Sequence, residues 1–117
     1  MISTPANRPL TTVELELARW MLEHGNPEAE AFLPQLELAK VTPWKCPCGC
    51  ASINFQISGH AEAPPGVHIL GDFALGEGDS TGGAFIFESG GLLSGIEVYS
   101  FGEPVSILPT PNDLRKF

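Results

Sequence analysis

Cysteine is scarce in this chain and tightly confined: there are three, all between positions 46 and 50. A disulfide framework joining distant segments is excluded, because such frameworks use dispersed, paired cysteines. A reducing cytoplasm is therefore the expected location. Lysine and arginine are missing altogether from residues 46–114, a stretch that holds Glu62, Asp72, Glu77, Asp79, Glu88, Glu97, Glu103 and Asp113 within a net charge of −8. Such a surface repels phosphate backbones and anionic headgroups, so neither nucleic acid nor membrane is an expected partner; it permits a basic protein partner, or it serves only to keep the chain in solution. No run reaches the roughly 18 consecutive apolar residues of a membrane-spanning helix, and residues 1–10 lack a basic segment followed by an apolar one.

What is present suits one folded unit. At 117 residues, 43% hydrophobic and 17% charged, the chain is apolar enough to offset its ordering entropy and long enough for one core. We expect a single domain over 1–117, with a loosely held arm at 1–9, a helical part at 10–37 and an antiparallel sheet at 38–117.

Thr11 and Glu14 form a capping-box pattern, and Leu10 and Leu15 stand at hydrophobic-staple spacing, so a helix should begin here and run to about His24. Only Glu16, Arg19 and Glu23 make a polar stripe on it, which predicts a largely buried helix. Gly25 ends it, Asn26-Pro27 starts a second, and Pro34 should keep that one short.

Beyond Lys40 the texture changes, with 12 of the 13 glycines following Trp44. Ile53, Phe55 and Ile57 alternate with polar residues, the pattern of a strand with one buried face. Residues 67–75, 84–88, 92–101 and 105–108 read as further strands, and Ser89-Gly90-Gly91 is the clearest hairpin turn. The expected fold class is α+β: an N-terminal helical pair packed on one face of a four- to six-stranded antiparallel meander. Trp20, Trp44, Tyr99 and the seven phenylalanines are read as core, since the basic residues that accompany base stacking are missing.

The most distinctive segment is Cys46-Pro47-Cys48-Gly49-Cys50. Three thiols within five residues suit a soft metal such as zinc, with His60 or His68 completing the set. The spacing departs from the Cys-x-x-Cys pair of zinc knuckles, so two other readings stand beside that one. The cluster forms a tight turn shaped by Pro47 and Gly49, or it carries a redox or nucleophilic thiol that needs a nearby cation. Gly78-Asp79-Ser80 resembles a hydrolase nucleophile block, but the last histidine, His68, precedes the serine, and a histidine base is expected downstream of it. His24, near the end of the first helix, serves its carbonyls and needs no ligand. No two carboxylates form an acid and base couple, and no catalytic residue is assigned.

Three segments carry a resemblance: Leu10-Thr11-Thr12-Val13-Glu14, the block running from Cys46 through Ser52-Ile53, and the C-terminal run Leu93-Ser94-Gly95-Ile96-Glu97-Val98-Tyr99-Ser100-Phe101-Gly102-Glu103-Pro104. Together they resemble a group of small, uncharacterised bacterial proteins without an assigned activity. That group is in turn loosely similar to small acidic immunity proteins, which neutralise a toxin by covering its active surface. The resemblance implies a fold class and no activity. The acidic sheet half and the lack of any assembled catalytic set make a non-catalytic, protein-binding domain the expected function, and the alternative is a metal or redox-active thiol site at Cys46, Cys48 and Cys50.

Overall fold

The computed structural model describes residues 7–44, 47, 49–61, 63–75, 82–101 and 105–116. Its first helix, α1 (Thr12–Glu23), begins as its capping box dictates. Thr11 Oγ1 accepts from the Glu14 amide at 3.1 Å, and the Glu14 carboxylate accepts from the Thr11 amide at 2.8 Å. Leu17, Ala18, Met21 and Leu22 face inward and are wholly buried. Each large apolar side chain so placed contributes roughly 1.5–3 kcal/mol.

The second helix departs from expectation. It is a ten-residue 3-10 stretch, Ala29–Leu38, that runs through Pro34 instead of stopping there. Proline has no N–H to donate in either winding and its ring clashes with the preceding turn of an α-helix; here the chain passes through it in 3-10 turns.

The strands are β1 (Arg8–Pro9), β2 (Ala39–Val41), β3 (Ile53–Ile57), β4 (His68–Leu75), β5 (Gly82–Ser89), β6 (Leu92–Ser100) and β7 (Leu114–Lys116). They form one sheet in the order β1-β2-β3-β6-β5-β4-β7, with every neighbouring pair antiparallel. The α+β class stands, but the sheet has seven strands where four to six were expected. Two of the additions are the edge strands β1 and β7, too short for any periodic signal. Arg8–Pro9, expected as loose arm, is held by pairing with Lys40 and Val41. The strand expected at 105–108 is irregular chain, yet Val105 and Leu108 still pack against the core.

Nor is the sheet a simple meander. β4, β5 and β6 follow one another, but β3 pairs with β6, the strand order of a Greek key. The 58–67 link spans the end of the sheet, where the Ser89 hydroxyl donates to the Pro64 carbonyl at 2.7 Å. The β5–β6 turn is Gly90-Gly91, with φ of +61° and +85°, the left-handed pair that a tight hairpin turn demands.

α1 and the 3-10 stretch cover one face of the sheet. Phe55, Phe73, Ala84, Ile86, Ile96 and Val98 point into that layer and form the core with the helices. The last segment of the chain returns on the same side, with Val105 and Leu108 against the core.

Candidate functional site

The second face of the sheet is the one turned away from the helices. Strand alternation turns Asp72, Phe85, Phe87, Glu97, Tyr99 and Phe101 away from the helices. The expectation that the aromatics are core is therefore corrected for four of them, and also for Trp44, which is 43% exposed. Phe85, Phe87 and Tyr99 are half-buried, and Phe101 is 73% exposed. Their rings touch one another, with centroids 5.8 Å apart for Phe85 and Phe87, 6.2 Å for Phe85 and Tyr99, and 5.8 Å for Tyr99 and Phe101.

Two glycines make that arrangement. A Cβ at Gly83 would meet the Tyr99 hydroxyl at 2.4 Å and its ring carbon Cζ at 2.6 Å, so the ring lies directly over bare backbone of β5. A Cβ at Gly95 would meet the Phe87 ring at 3.1 Å, so this ring lies over β6. Aromatic side chains lying across glycines of a neighbouring strand keep an antiparallel sheet in register. These also build an apolar floor.

Acid is set into that floor in one row. Asp72 on β4 stands opposite Phe85 on β5, and Phe85 stands opposite Glu97 on β6. Both carboxylates are exposed. Tyr99 reaches over Gly83 to donate its hydroxyl to Asp72 Oδ1 at 3.2 Å. Burial, and then the neighbouring Asp72 charge and hydrogen bond, push the Tyr99 phenol above its usual value of 10. The nearest cations by register are at the margins, Lys40 opposite Gln56 and Arg115 opposite Ala74. β3, β4, β5 and β6 carry no lysine or arginine. Beside the row, Phe87, Trp44 and Pro64 wall a groove of about 450 Å³ floored by Asn54 and Gln56.

The residues named as metal ligands are distributed differently. Cys46 and Cys48 lie outside the described residues, as does Gly78-Asp79-Ser80. Cys50 is half-buried before β3, in a cleft of about 370 Å³ that also holds Arg8 and Ser52. Ser52 extends the β3–β6 pairing with its side chain, accepting from the Val98 amide at 2.8 Å and donating to the Val98 carbonyl at 3.1 Å. The Arg8 guanidinium in that cleft is taken up by both oxygens of Glu14, each at 2.8 Å.

His60 is exposed in the turn after β3, so the strand's length of about 16 Å separates its end of the sheet from that of Cys50. His68 begins β4, three strands across from β3, about 14 Å at ordinary strand spacing. Its Nδ1 lies 2.9 Å from Glu88 and its Nε2 3.5 Å from Glu28, a link between the sheet and the start of the helical layer. Among the described residues, no three His, Cys, Asp or Glu side chains group as metal ligands. His24 behaves as expected, with Nδ1 2.8 Å from the Trp20 carbonyl and its ring stacked on Trp20.

Among the described residues, no helix is long and apolar enough to cross a membrane. The chain matches no protein-family profile, and comparisons with curated proteins and with solved structures likewise return no match.

Proposed function

We propose that this chain is a non-catalytic binding domain that engages a basic protein partner with the helix-free face of its sheet, in the manner of a small acidic immunity protein. The observation that carries this reading is the Asp72–Phe85–Glu97 row, exposed carboxylates flanking an aromatic ring in a cation-free centre. Aromatic side chains are enriched at protein interfaces and among the few residues that dominate their binding energy, and an acidic field steers a basic partner toward them. Both features occupy the same strands here.

Affinity capture from the host with the intact chain tests the proposal. A basic protein should be retained at low salt, released as salt rises, and lost when Phe85 and Tyr99 are both replaced by serine. Capture that ignores those two replacements would refute a role for this face.

A further inference from the structure

The row has dimensions and chemistry that narrow what it can seat. Asp72, Phe85 and Glu97 occupy facing positions on three adjacent strands, so the backbone that carries each acid is one strand spacing, about 4.8 Å, from the backbone that carries the ring. The ring is hemmed in by its neighbours: Tyr99 is tilted at 43° to it on one side, and Phe87 meets it edge-on at 61° on the other. What remains accessible is a patch of aromatic surface with a negative charge at each end. Because Tyr99 donates to Oδ1 of Asp72, that carboxylate is held in place.

A group complementary to this patch is cationic, flat enough to lie on a ring, and able to donate hydrogen bonds outward from opposite edges. Guanidinium meets all three requirements, since it stacks on aromatic faces and presents five donors in a planar fork. An ammonium group is a compact point charge that is more strongly hydrated and serves one carboxylate at a time. Phosphate-bearing ligands are repelled by the two acids. A second copy of this chain is disfavoured because two chains of net charge −8 would meet acid to acid.

We propose that the Asp72–Phe85–Glu97 row is the seat of an arginine side chain from the basic partner, its guanidinium stacked on Phe85 and its edges donating to the two carboxylates. This rests on the binding reading above and adds the identity of the anchoring residue. The cations nearest the row by register, Lys40 on β2 and Arg115 on β7, stand on the outer strands of the sheet.

The test is an amide-resolved NMR titration of the intact chain with three short peptides, identical except that each carries four arginines, four lysines or four citrullines. The arginine peptide should give saturable shifts centred on Asp72, Phe85, Glu97 and Tyr99. Lysine should bind about fivefold more weakly, and neutral citrulline should not bind. Asp72→Asn with Glu97→Gln should weaken arginine binding about fivefold, and Phe85→Leu, which keeps the site apolar but removes the ring, about threefold. Equal binding of arginine and lysine, or shifts centred outside the row, would overturn the assignment. If either result accompanied successful capture of a partner through this face, the arginine seat would fall and the binding reading would remain. Arginine-selective shifts without any captured partner would leave the seat standing and count against the reading.

Discussion

Tyr99 and Asp72 face each other across an intervening strand, and their hydrogen bond of 3.2 Å exists because position 83 between them is glycine. Replacing Gly83 by alanine would drive a methyl group into the Tyr99 ring and to 2.6 Å from the Phe73 carbonyl oxygen. The ring can swing away, but the backbone oxygen cannot. Gly83→Ala should therefore cost about 1–3 kcal/mol in denaturant unfolding and free the Tyr99 ring from Asp72.

Tyr99 is the only tyrosine in the chain, so ultraviolet absorbance titrates it alone. Its phenol should ionise above the usual value of 10, and Asp72→Asn should bring it only partly back, because burial is the first cause and Asp72 the second. The unfolded chain releases this proton first. The stability tied to Tyr99 is therefore complete below about pH 10 and is lost as pH climbs through the higher folded value, which a series of urea melts from pH 9 to 11.5 would record.

Arg8 anchors β1 to α1 through Glu14. The Arg8 guanidinium, with the Thr11 amide assisting, holds the Glu14 carboxyl below its ordinary value of 4.5 despite its burial. A depressed carboxyl contributes stability above its unfolded value and loses it as pH falls through the folded one. Unfolding free energy should thus decline as pH drops below about 4.5, and Glu14→Gln should flatten that decline. The same substitution should cost about 1 kcal/mol at neutral pH through loss of the charge-assisted pair, half-exposed on the Arg8 side, because a glutamine carbonyl can still accept from the Thr11 amide and keep the cap.

Much of the architecture was legible in the residues, and the reason differs from element to element. The start of α1 is written in Thr11 and Glu14, and the β5–β6 turn in Gly90 and Gly91, because each is a local hydrogen-bond or dihedral requirement. The pairing of β3 with β6 is not written locally, since it is decided by which apolar faces meet across more than thirty residues of chain. β1 and β7 are two and three residues long, below the length at which alternation can be seen.

The aromatic face is not legible from alternation, because Phe85 and Phe87 are apolar like the inward-facing neighbours between which they stand. Ala84-Phe85-Ile86-Phe87 is a continuous apolar run, and a strand of that kind is apolar on both faces. That run, together with glycines at 83 and 95 inside strands, was the available signal.

Phe101 is the most exposed ring of the face, so its loss should separate stability from binding. Phe101→Ser should change unfolding free energy by no more than about 0.5 kcal/mol, since no core contact is removed. Partner affinity should fall measurably in the same variant, read by calorimetry against the wild-type chain.

If the side of the sheet turned away from α1 is the surface that binds, hydrogen–deuterium exchange of the chain alone and with its captured partner reads this directly. Protection should be concentrated in β4, β5 and β6 around Asp72, Phe85 and Glu97, with α1 unchanged. Protection centred on α1 and the 3-10 stretch, with those strands unaffected, would contradict it.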